Sequence, residues 1–155
     1  MKLHHGTNTN FDQIRLDKCL PHKDFGRGFY LTPNKRKAKL RALDKVDKEH
    51  QGIPTILSYN FDEAELDNLK VLRFDTCTEQ WLDFILSNRS RKNRRQHDYD
   101  IVIGPVADDG VITSIALYEA KVIDRKELLK RIKDTKAYTQ YAFCTQKAID
   151  KLQRI

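Results

Sequence analysis

Residues 23–32 read KDFGRGFYLT: two glycines and an arginine stand directly before a run that alternates with period two. On a strand, Gly28, Tyr30 and Thr32 share one face, and Phe29 and Leu31 share the other. The apolar pair is expected to face a core, which turns Tyr30 away from it. Near the far end of the chain, TQYAFCT (139–145) repeats the arrangement, with Tyr141 and Phe143 on one face and Gln140, Ala142 and Cys144 opposite. Each strand thus presents a polar or aromatic group away from a bulky apolar pair. Two readings stay open: a solvated strand face behind a surface turn, or the wall of a ligand cradle. The turn itself suits either, because glycine lets backbone approach a neighbour closely and Arg27 offers a fork for phosphate.

Outward from that stretch, KLHH and GFYLT read as short strands. The segment from Thr32 through the basic run 34–48 reads as an amphipathic helix, with Thr32 as N-cap, Pro33 at the first helical position, and Ala38, Ala42, Leu43 and Val46 on its apolar side. PTILSYNFD and NLKVLRFD carry the branched and aromatic residues of strands. TEQWLDFILSNR reads as a helix burying Trp81, Phe84 and Ile85. RSRKNRRQHD has no apolar residue and reads as a mobile loop. DIVIGPVADDG is a strand ended by Gly104-Pro105 and an acidic turn, DRKELLKRIKD a helix, and Thr145 caps a closing helix over QKAIDKLQRI. Strands and helices mix without a steady βαβ rhythm, which points to α+β.

A chain of 155 residues with 39% hydrophobic and 33% charged residues fits one domain over 1–155 with its own core. The formal charge of +7 favours polyanionic or acidic partners. No apolar stretch approaches membrane-spanning length and no secretory leader is visible, so no membrane role is expected. Cys19, Cys77 and Cys144 are odd in number and lack metal-ligand spacing. A reduced, cytoplasmic protein without a metal is the expectation.

Most sources of chemistry fall away on inspection. Gly26-Arg27-Gly28 lacks the third glycine of a dinucleotide fingerprint and precedes a strand instead of opening a helix. His4 and His5 point to opposite strand faces and cannot share a metal, and His22, His50 and His97 stand in no ligand spacing. There is no nucleophile elbow, and no neighbour obviously lowers the pKa of Cys77 or Cys144. Asp108-Asp109 before Gly110 reads as a turn. Arg89, Arg91, Lys92, Arg94 and Arg95 crowd one short loop, a pattern that contacts nucleic acid or an acidic protein.

Together, LHHGT, GRGFYLT and TQYAFCT resemble the three motifs of the ADP-ribosyltransferase superfamily, in its diphtheria-toxin and poly(ADP-ribose) polymerase-like branch. More narrowly, KDFGRGFYLT, DIVIGPVADD and QYAFCT look like a bacterial family of small proteins, DUF3990. The resemblance spans nearly the whole chain and implies a split pair of antiparallel β-sheets with flanking helices and NAD as co-substrate in the cleft between them. Carried over, His5 would hold the adenosine ribose, Gly6 the nicotinamide carboxamide through its backbone, and Tyr30 the nicotinamide ring by stacking. Thr7 and Gly28 would complete the cofactor-binding stretch, and Arg27 would reach the pyrophosphate. Gln140 falls where polymerase-type members have a catalytic glutamate. Glutamine keeps that hydrogen bond and loses the charge, a departure that matters because electrostatic stabilisation is a large catalytic term. Another carboxylate, Glu119 or Asp109, would have to deprotonate an acceptor.

The resemblance therefore implies a mono-ADP-ribosyltransferase with His5, Tyr30 and Gln140 as catalytic residues and a macromolecular acceptor, nucleic acid ahead of protein. It suggests a toxin of a toxin–antitoxin or phage-defence module, with an acidic antitoxin or immunity protein as partner. The alternative is a catalytically inactive module that binds NAD, ADP-ribose or nucleic acid.

Overall fold

Strand β1 (Lys2–Thr7) opens the chain, and a loop carrying one 3-10 turn leads to β2 (Phe29–Leu31) in the computed structural model, which describes residues 1–155. Helix α1 (Lys35–Glu49) follows, capped by Asn34, whose side chain accepts from the Lys37 N–H at 3.2 Å. Thr32 is therefore not the cap; its hydroxyl accepts from the Asn34 N–H one step earlier. Only Ala38 and Ala42 of the expected apolar side are buried, and Leu43 is 45% exposed. The small pair is selected because the helix lies very close to β1. An alanine-type Cβ built at Gly6 would stand 2.0 Å from the Ala38 carbonyl oxygen and 2.9 Å from the Ala42 nitrogen.

Strand β3 (Thr55–Asn60), a 3-10 segment over Glu63–Asn68 and β4 (Val71–Arg73) come next. Helix α2 (Glu79–Arg89) is capped by Thr78 and buries Trp81, Leu82 and Ile85, with Phe84 half-buried. After the basic loop, β5 (Ile101–Pro105) leads into α3 (Asp109–Glu119). The acidic turn is in fact this helix's start: Asp108 accepts from the Val111 N–H at 2.9 Å. Its apolar content resembles a strand's, and only the cap distinguishes it locally. Helix α4 (Arg125–Lys133) and β6 (Thr139–Phe143) follow. Thr145 caps α5 (Gln146–Ile149) as expected, but that helix stops after one turn. The remainder returns as β7 (Gln153–Arg154), which pairs with β3. No helix is long and apolar enough to cross a membrane.

The fold is α+β with two sheets, ordered β1-β3-β7 and β2-β6-β5-β4. The first is antiparallel, whereas the second is mixed because β4 runs parallel to β5, which corrects the expectation of two antiparallel sheets. One backbone bridge joins them, His4 to Thr32, with N–H···O bonds of 2.8 and 2.9 Å in both directions. Beyond it the sheets separate.

The second sheet is buried on both faces. Phe29, Phe143 and Ile101 form one cross-strand row, Tyr30, Ala142 and Val102 the next. The first row joins Leu3, Leu57 and Phe61 in a core between the sheets. The second row meets Phe25, Trp81, Ile85, Ile115 and Leu128 in another core under α2, α3 and α4. The period-two reading of both strands therefore holds, but the face carrying Tyr30 is not solvated. Helices cover it, and nothing in a strand's own alternation can reveal such a cover.

Candidate functional site

The bridge between the sheets brings the N-terminal and central motifs together. Because His4 and Thr32 pair, strand alternation turns the N–H and C=O of Gly6 toward β2 as well. No backbone ladder continues there, since the bridge is isolated. The place of the next pair is taken by a side chain: His5 Nδ1 lies 2.8 Å from the Tyr30 carbonyl oxygen. A carbonyl only accepts, so Nδ1 carries the proton and Nε2 is left as an acceptor. Burial pushes the His5 pKa down from 6.5 to about 4, against the Tyr30 bond, with Lys45 and Arg41 adding to the depression. The imidazole is neutral at physiological pH. Phe29 packs against it at 4.4 Å between ring centroids and Phe11 at 6.1 Å.

Tyr30 is anchored at both ends. Its backbone pairs with Ala142, and its hydroxyl accepts from the Phe25 N–H at 2.9 Å and donates to the Gly26 carbonyl at 2.8 Å. Burial holds the phenol well above its ordinary pKa of 10. Phe25 stacks alongside at 6.5 Å and 23°. Gln140 lies on the same face of the sheet, on the strand next to β2, and pairs with Gly104. Phe25 approaches Gly104 closely enough that a Cβ there would meet its ring at 3.2 Å. The Gln140 Nε2 is buried and has no hydrogen-bond partner. An amide that could donate two hydrogen bonds is thus held beside an aromatic neighbourhood with none to make.

The other expected contributors are engaged elsewhere. The Arg27 guanidinium donates to the Cys19 carbonyl at 2.6 Å and to Asp17 at 3.4 Å, tying down the loop before it. Gly28 answers a packing need: a Cβ there would stand 2.9 Å from the Phe143 carbonyl oxygen. Gly26 has φ of +80°, a turn conformation natural to glycine. Thr7 is buried and accepts weakly from the Thr9 N–H at 3.4 Å. Asp109 opens α3 within electrostatic reach of Tyr138, whereas Glu119 ends that helix.

Four residues that sequence reasoning passed over hold the glycine turn. Gln96 accepts from the Arg27 N–H at 3.1 Å and donates back to the Arg27 carbonyl at 3.2 Å. His97 bonds the Phe25 carbonyl at 2.7 Å, Asn88 donates to the Asp24 carbonyl at 3.2 Å, and Arg89 pairs with the Asp24 carboxylate at 2.8 Å. These contacts span more than sixty residues of chain, so no local pattern announces them. They also separate Arg89, whose charge is matched, from Arg91, Lys92, Arg94 and Arg95, which are exposed. The basic loop is therefore moored at both ends beside the turn that carries Tyr30.

The chain belongs to the family described as "Protein of unknown function (DUF3990)", whose model matches residues 1–154. No curated protein and no solved structure matches it.

Proposed function

We propose that this protein is a mono-ADP-ribosyltransferase that uses NAD to modify a macromolecular acceptor. The observation carrying the reading is the junction of the sheets, where a neutral His5 acceptor, the backbone edge of Gly6, Tyr30 and Gln140 come from three strands to one region. A ribose hydroxyl donates and needs an acceptor, which His5 Nε2 supplies. A carboxamide needs one donor and one acceptor side by side, which the Gly6 edge supplies. In the reaction the bond from ribose C1′ to the nicotinamide nitrogen breaks, and nicotinamide leaves with the electron pair. An acceptor nucleophile forms the new bond at C1′ and gives its proton to a carboxylate. Asp109 is better placed for that than Glu119, which lies ten residues further along α3, about 15 Å. Arg91, Lys92, Arg94 and Arg95, exposed beside the Tyr30 turn, favour nucleic acid as acceptor. A toxin role with an acidic inhibitor fits the net charge of +7.

One observation favours a second reading, a catalytically inactive module that binds NAD or ADP-ribose. Gln140 is a neutral amide where the reaction needs charge, and its Nε2 has no partner. A bound ligand would give that donor an acceptor.

The test is incubation of the purified chain and its Gln140→Glu variant with labelled NAD and cell lysate, followed by separation of protein from nucleic acid. Label in one fraction from the unmodified chain supports the transferase and identifies the acceptor class. Binding without turnover, with cleavage gained by Gln140→Glu, supports the inactive module. Neither binding nor turnover in both proteins refutes the NAD reading.

A further inference from the structure

Arg27 is occupied by backbone carbonyls, so any phosphate at the sheet junction must be met by other cations. Helix α1 supplies them. Ala38 and Ala42 are the turns of α1 that rest on Gly6, and residues 37, 41 and 45 follow one another at i,i+4 along the flank beside that contact. Lys37 Nζ stands 4.8 Å over the Tyr138 ring, at the entrance to β6 and two residues before Gln140. Arg41 and Lys45 both lie close enough to act on the His5 imidazole. Lys23, half-buried at the head of the glycine turn, faces the same two side chains, with Arg89 beyond them.

The carboxylates nearby are shared too widely to neutralise this cluster. Asp44 pairs with Arg41 at 3.3 Å and with Lys48 at 2.9 Å. Glu49 pairs with Lys45 at 3.9 Å and also accepts from Asn8 at 2.8 Å. Lys23 has only Asp24 as an acidic neighbour, and Asp24 is already bonded to Arg89. Burial, followed by Arg41, lowers the Lys23 pKa, so its charge is held in an unfavourable place. Like charges gathered around a neutral imidazole are costly without an anion among them.

We propose that Lys23, Arg41 and Lys45 form an anion site for the diphosphate of a nucleotide lying against His5 and Gly6. The nucleotide's identity rests on the NAD reading above; the anion site does not. It differs from the exposed loop cations in being partly desolvated and in converging on one point rather than lining an edge.

Isothermal titration of the full chain with inorganic pyrophosphate, ADP-ribose, nicotinamide and a single-stranded oligonucleotide tests it. The comparison is with Arg41→Gln, Lys45→Gln and Lys23→Met, alone and combined. Arg41 and Lys45 lie outside the Ala38 and Ala42 contact, so their variants should keep the unfolding temperature of the parent chain. Pyrophosphate and ADP-ribose should weaken about ten-fold per charge removed, with nicotinamide unchanged. Equal affinity of the combined variant for both phosphates overturns the proposal, even if NAD binds. Loss of pyrophosphate binding in the variants, with no nicotinamide or NAD response from the parent chain, keeps the anion site and removes the NAD reading. A loss confined to the oligonucleotide overturns the diphosphate site in favour of a nucleic-acid surface.

Discussion

Replacing Tyr30 by phenylalanine keeps the aromatic ring and removes one oxygen atom. That oxygen holds the Phe25 N–H at 2.9 Å and the Gly26 carbonyl at 2.8 Å, and both residues are buried. Water cannot readily replace the hydroxyl, so a donor and an acceptor are left without partners. Each orphaned group costs about 1–3 kcal/mol, and about 3 kcal/mol in all is expected. For a chain of this length that lowers the unfolding temperature by about 6–12 °C. Thermal and urea unfolding, followed by circular dichroism, measure it directly. The ring remains available for stacking, so any ligand affinity should fall far less than stability. A loss below about 0.5 kcal/mol would refute a buried, bonded hydroxyl and return the turn to the solvated hairpin that local sequence allows. The same geometry makes Tyr30→Ala a poor probe of catalysis. It removes the contact with Phe25 as well and opens a cavity costing about 3–5 kcal/mol, so lost activity would report unfolding as readily as lost chemistry.

Other consequences can be checked with the same assays. Gly6→Ala forces a Cβ against the α1 backbone at 2.0 Å, and a destabilisation of about 3 kcal/mol or more is expected in urea. Gly110→Ala, with nothing nearer than 3.3 Å, should be close to neutral as its control. His5 is held near pKa 4 against 6.5 when unfolded, so below pH 6.5 the unfolded state binds a proton that the folded state does not. Its contribution of about 3 kcal/mol is present above pH 6.5 and lost as pH falls from there toward 4. In His5→Gln the urea midpoint should vary less over that interval, and an unchanged pH profile would count against the buried neutral imidazole. Burial pushes the Cys144 thiol up to about 12. It should resist alkylation at pH 8 in the folded chain and react on unfolding, whereas rapid modification of the native protein would contradict its environment.

What the sequence alone determined was local and periodic. The alternation of GFYLT and TQYAFCT assigned Phe29, Leu31, Tyr141 and Phe143 to one face, and all four are core residues of one cluster. Thr78, Asp124 and Thr145 cap helices because a short polar side chain needs only residues two or three positions away. The motif order pointed to DUF3990, and the family match spans almost the entire chain. The helix over 109–119 escaped because its apolar residues fit either element. The closing helix stopped early because pairing with β3 competes for its last residues.

Only tertiary structure decided what lies opposite each residue. Gly6 could be bare for a ligand or for a helix, and α1 occupies the space on its Cβ side. Arg27 could hold a phosphate or a carbonyl, and the loop at 17–19 supplies carbonyls. Tyr30 could face water, a cofactor or a second core, and α2, α3 and α4 close over its side of the sheet. A side chain's direction follows from backbone dihedrals within a few residues. Its partner depends on segments brought close by the whole chain's burial of apolar surface, which no window of the sequence contains.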